Sequence, residues 1–97
     1  MVVQRYTIVV KQGKMMEVID LVKQAFEIAP PAGNYRLYTD FVGQANTMAW
    51  EIEYENLAAF QKTYEEMFSN EDLAEIGARI SDLVTGEGHN EIWHVHV

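Results

Sequence analysis

Two strand-like runs, Tyr35 to Val42 and Thr47 to Glu55, are separated by only four residues, Gly43-Gln44-Ala45-Asn46. So short a connection cannot carry the chain back across a sheet, so the two runs must be antiparallel neighbours joined as a hairpin. What flanks the hairpin then decides the topology. Upstream, Val2 to Val10 is rich in β-branched residues and stops at Lys11-Gln12-Gly13-Lys14, a turn signal. From Met15 the apolar residues Val18, Ile19, Val22, Phe26 and Ala29 recur every three or four positions until Pro30-Pro31-Ala32-Gly33, which predicts one helix. Downstream, Asn56 can cap a helix carrying Leu57, Phe60, Tyr64 and Met67, and Ser69 with Asp72 reads as a second capping box that breaks it. The continuation carries Leu73, Ile76, Ile80, Leu83 and Val84, and Gly86 and Gly88 are expected to stop it before a last strand over Glu91 to Val97.

The order is therefore βαββαβ, an α+β arrangement of the ferredoxin-like kind. At 97 residues the chain has room for one such domain, spanning 1–97, and for no second core. Both crossovers are right-handed, so the helices cover one face of an antiparallel sheet and leave the other open. Setting Val42 opposite Thr47 sorts the side chains. The helix-facing set is Tyr35, Leu37, Phe41, Met48, Trp50, Ile52 and Tyr54, joined by Tyr6, Ile8 and Val10 and by Trp93, Val95 and Val97. The open face collects Arg5, Thr7, Arg36, Tyr38, Asp40, Glu51, Glu53, His94 and His96, with Arg36 directly across from Glu53 as an ion pair.

Charge and composition exclude several functions. Seven basic against fifteen acidic residues give a net charge of −8, which repels phosphate backbones and anionic lipid, so neither nucleic acid nor a membrane is an expected partner. The absence of cysteine removes thiol nucleophiles and thiolate metal sites. The first residues alternate like a strand and lack the apolar run of a signal peptide, so a cytoplasmic location is expected. His94 and His96 share one strand face, about 6.5–7 Å apart along the chain. A metal would need a third ligand from Glu51, Glu53 or Asp40, and the expectation is histidines among charged neighbours inside the barrel or in solvent, with no metal.

Nearly the whole chain resembles the dimeric α+β barrel proteins, the group that contains the antibiotic-biosynthesis monooxygenase-like and NIPSNAP-like families. The carriers are the first strand running into Val10-Lys11-Gln12-Gly13-Lys14, then Leu37-Tyr38-Thr39-Asp40, Asn46-Thr47, Trp50 to Tyr54, and Asn56-Leu57-Ala58-Ala59-Phe60. The resemblance implies a homodimer closed through the open sheet face and a small-molecule pocket between sheet and helices. Its lining here would be Tyr6, Trp50, Tyr54, Phe60, Tyr64, Met67 and Phe68, an aromatic set suited to a flat ligand with hydroxyl anchors. The same residues at the same spacing serve equally as core.

The haem-degrading branch of the group uses a helix histidine, an asparagine in strand one and a tryptophan late in strand three. The matching neighbourhoods here hold Ile76-Gly77, Tyr6 and Tyr54, so a proximal iron ligand is missing and no cofactor is expected. Cofactor-independent oxygenases of the group act on phenolic or quinol-like substrates, which requires a base and oriented donors. Tyr6, Trp50, Tyr54 and Tyr64 supply donors, whereas the parity above leaves no base on the pocket side. Two functions stay open: a monooxygenase-like enzyme acting on an aromatic substrate, or a non-catalytic dimeric binding or structural protein.

Overall fold

A computed structural model describes every residue from Met1 to Val97. The elements run β1 (Val2–Val10), α1 (Met15–Ile28), β2 (Tyr35–Thr39), β3 (Thr47–Tyr54), α2 (Leu57–Phe68), α3 (Glu71–Ser81) and β4 (Val84–His94). The four strands form one sheet in the order β2-β3-β1-β4, antiparallel at every seam. This is the βαββαβ order, with the second helix broken in two as expected. No helix is long and apolar enough to cross a membrane.

All three helices lie on the side of the sheet that carries the even-numbered residues of β1 and β3. There Ile8, Val10 and Met48 meet Val18 and Val22 of α1 and Ile80 of α3, while Val2, Ile52 and Tyr54 meet Phe26 of α1 and Phe60 of α2. Leu21, Met48, Val10 and Val18 are the most deeply buried side chains. Each contributes about 1.5–3 kcal/mol by leaving water, which makes the α1–β1–β3 layer the anchor of the fold.

The edges depart from the sequence expectations in four ways. β2 ends at Thr39, because the Asp40 carboxylate and backbone both bond Thr47 and close a six-residue loop. Phe41 and Val42 consequently leave the sheet for solvent instead of packing under the helices. With the loop two residues longer, the pairing moves by two, so Arg36 sits across from Glu51 and not Glu53; the even shift preserves which face each residue takes.

β4 starts at Val84, well before Glu91. Gly86 and Gly88 belong to the strand, where the pairing slips between Thr7 and Val9, and Gly86 takes a φ of +69° that a glycine accepts without strain. The third departure concerns faces. Val2 pairs with His94 and Gln4 with Ile92, so the even residues of β4 look toward the helices and the odd ones away. His94 therefore lies on the helix side, and Trp93 and Val95 lie on the open face; apolarity alone had pointed the other way. Finally, the cap of α3 is Asn70, whose side chain accepts from the Asp72 and Leu73 amides, whereas Ser69 closes α2 by donating its hydroxyl to the Glu66 carbonyl. Asn56 caps α2 as expected, accepting from the Ala59 amide at 2.8 Å.

Candidate functional site

The helix-facing side of β3, β1 and β4 reads as successive cross-strand rows: Tyr54–Val2–His94, Ile52–Gln4–Ile92, and Trp50–Tyr6–Asn90. Most of it is apolar, yet one corner is polar. Gln4 is buried, and its amide nitrogen donates to the Asn90 side-chain oxygen at 3.0 Å. Beside it the Tyr6 ring stacks on Trp50, centroids 5.0 Å apart and planes 22° from parallel. The phenol of Tyr6 reaches over β4 at Gly88, where a β-carbon would collide with its hydroxyl. Glycine at 88 is thus what lets the tyrosine cross the bulge.

At the other end of the site an aromatic chain leaves the sheet and climbs α2. Tyr54 meets Phe60 edge to face at 5.4 Å, Phe60 stacks on Tyr64 at 5.5 Å, and Tyr64 meets Phe68 edge to face at 4.9 Å. The spacing of four along α2 aligns these rings on one helix face. The chain grows wetter as it climbs: Tyr54 is buried, Phe60 half-buried, and Phe68 is 73% exposed. Met67 is also exposed, and no residue of α2 is fully buried. Burial pushes the Tyr54 phenol above the usual tyrosine range, which suits it to donate a hydrogen bond and not to act as a base.

Of the seven residues expected to line a pocket, the structure joins Tyr6 with Trp50 in one pair and Tyr54, Phe60, Tyr64 and Phe68 in one chain. Trp50 connects the two groups by packing against both core clusters. Asn90 was missed and His94 was assigned to the open face, because both depend on the pairing of β4 with β1, which the sequence alone leaves open; Gln4, on the parity of Tyr6 and Ile8, was passed over as a polar residue. His94 and His96 stand 6.5 Å apart, ring centre to ring centre, and no group of three or more metal-ligating side chains assembles anywhere. Ile76 of α3 is buried.

The open face holds a separate polar centre. Nε and Nη2 of Arg5 both donate to one oxygen of Glu51, at 3.1 and 2.8 Å. Hydrogen bonding from Tyr38, then from Arg5, holds the Glu51 carboxyl below the usual carboxylate range, outweighing the opposing effect of burial. A concavity of about 280 Å³ opens beside this centre, between Val3, Asn34, Tyr35, Arg36, Tyr38, Glu53 and Val95. A groove of about 470 Å³ runs along α1 and β2, past Lys23, Phe26, Glu27, Pro30, Tyr35 and Leu37. None of the seven aromatic-set residues lines either hollow.

Neither a protein-family model nor a curated protein matches the sequence. Solved structures do match the fold. A NIPSNAP family protein from Agrobacterium tumefaciens superposes with a TM-score of 0.86 at 20% identity, covering 98% of this chain and 85% of its own. An uncharacterized NIPSNAP domain protein from Burkholderia xenovorans gives 0.85 at 15% identity, over 99% and 95% of the two chains. An antibiotic biosynthesis monooxygenase gives 0.77 at 15% identity over the full length of both. The fold is therefore that of the NIPSNAP and antibiotic-biosynthesis monooxygenase structures.

Proposed function

We propose that this chain is a homodimeric small-molecule enzyme of the cofactor-independent monooxygenase type, taking a phenolic or other aromatic substrate between its sheet and α2. The observation that carries the reading is the state of α2. It presents Phe60, Tyr64, Met67 and Phe68 along an apolar stripe, yet buries none of them fully. An amphipathic helix normally seals such a stripe against its sheet. A stripe left partly open, rooted on the sheet at Tyr54, suits a flat ring with a hydroxyl anchor.

The chemistry needs a proton acceptor, donors for a developing oxyanion and a water-poor wall. His94 supplies an imidazole on the helix side; the phenols of Tyr6 and Tyr54 supply donors. In the reaction a phenol and one molecule of dioxygen give a quinone and one water. Removal of the phenolic proton makes the ring carbon nucleophilic, dioxygen adds to it, and the peroxide loses water to leave the second carbonyl. Oxygen consumption by the purified protein with a panel of phenols tests this directly. Uptake that depends on the protein and falls on replacing His94 supports it; no uptake with any member overturns it.

Homodimerisation is the second half of the proposal. Val3, Trp93 and Val95 stand on the uncovered sheet face around the Arg5–Glu51 pair, a mixture of apolar surface and satisfied charge that a second sheet can cover. Sedimentation at micromolar concentration is expected to give twice the 11.1 kDa of one chain.

The rings of the aromatic set touch one another and line neither concavity, which favours as a second reading a non-catalytic dimer whose aromatics are packing. An apo crystal structure with the stripe fully covered by the chain's own side chains, together with silence in the oxygen assay, would decide for it.

A further inference from the structure

The tip of the β2–β3 hairpin exposes apolar side chains that nothing in the chain itself covers. Phe41 is 98% exposed and Val42 90%, although both ends of the loop that carries them are tied down. Asp40 and Thr47 close the loop, the Asn46 carbonyl accepts from the Val10 amide at 2.7 Å, and the Asn46 side chain donates to Gln12 at 3.0 Å. A held loop that offers a phenylalanine to water is built for contact with another surface.

One matching surface lies at the opposite end of the same sheet. The open-face concavity offers Val3, Tyr35, Tyr38 and Val95 as apolar wall, and Arg36, Glu51 and Glu53 line its polar side. Its volume of about 280 Å³ falls below the ~300–1,000 Å³ usual for small-molecule sites and suits a protein side chain. Arg36 forms no close ion pair within its own chain, although it stands across the strands from Glu51. Asp40 stands next to Phe41, one residue past the end of β2, with one carboxylate oxygen accepting from the Thr47 amide and the other unpaired.

We propose that the Phe41–Val42 tip of one copy seats in the open-face concavity of a second copy, with Asp40 against that copy's Arg36. The inference rests on the homodimer described above and adds its geometry. A two-fold axis between the sheets and perpendicular to their strands exchanges the two ends of the sheet, so each tip lies over the other copy's concavity and every contact occurs twice. An axis parallel to the strands would leave each tip over the same end of the partner sheet, far from the hollow. The apolar tip then meets Val3, Tyr35, Tyr38 and Val95, and Asp40 meets Arg36.

The absence of native cysteine allows a clean test. The double variant Val42→Cys/Val95→Cys places its thiols at opposite ends of one sheet, beyond the ~7 Å limit on Cα separation for a disulfide within the chain. Mild oxidation is expected to give a covalent dimer on a non-reducing gel, whereas Val42→Cys and Val95→Cys alone give none. A wild-type dimer with no link in the double variant, or with a link in Val42→Cys alone, overturns the seating and leaves the dimer standing. A wild-type monomer overturns both. Phe41→Ser gives an independent reading: its dimer dissociation constant is expected to rise at least tenfold, and an unchanged constant overturns the proposal.

Discussion

The Tyr6 ring and Gly88 occupy adjoining space: a β-carbon on residue 88 would meet the phenol hydroxyl and two ring carbons. Gly88→Ala is therefore expected to destabilise the fold by about 1–3 kcal/mol, the usual cost of overpacking. In a Tyr6→Ala background the same glycine substitution is expected to cost much less, because the ring it strikes is gone. Urea unfolding of the four proteins in the cycle measures the coupling; equal costs in both backgrounds would refute the contact.

Glu51 makes acid stability depend on the open face. Its carboxyl titrates lower when folded than unfolded, through Tyr38 first and Arg5 second. Between the folded and unfolded values the unfolded chain binds more protons, so this contribution is complete above the unfolded value of about 4.3 and is lost as pH falls through the folded one. Arg5 is 45% exposed at its side chain, so solvent limits the gain to about 1 kcal/mol or less. Glu51→Gln is expected to lower the urea midpoint at pH 7, with the gap closing below about pH 4.

Asn56 holds the start of a helix that has little else to hold it. Its side chain accepts from the Ala59 amide, and no residue of α2 is fully buried. Asn56→Ala is expected to cost about 1 kcal/mol and to raise hydrogen exchange in α2 ahead of α1. Uniform acceleration across both helices would show that α2 does not open on its own.

His94 is exposed and its side chain makes no hydrogen bond within the chain, so His94→Gln should leave the urea midpoint within about 0.5 kcal/mol of the parent. If it accepts the substrate proton, oxygen uptake falls about 10²-fold or more, the scale of a lost general base. Unchanged uptake would remove it from the mechanism.

The element order was legible because each period is strong: the β-branched run Val2–Val10, the stripe of α1 and the hairpin each specify themselves locally. Pairing partners were harder. β4 could be placed by apolarity only if a single face of the sheet needed apolar residues, and Trp93 and Val95 occupy the other one. That error hid His94 and Asn90 from the candidate site. The hairpin register slipped because Asp40, a good loop-closing acceptor, ended β2 before two apolar residues that read as strand. The aromatic chain from Tyr54 to Phe68 was visible from spacing alone, since helix geometry fixes which side chains align.

The slip between β1 and β4 also bears on how the protein behaves in a crowd. β4 is an edge strand, and eleven residues of regular edge would offer a long template to any passing chain. The bulge at Gly86–Gly88 breaks that edge into two short ladders, while the opposite edge, β2, is only five residues long. Neither border of the sheet presents a long flat row of free amides and carbonyls, so further strands find little to extend.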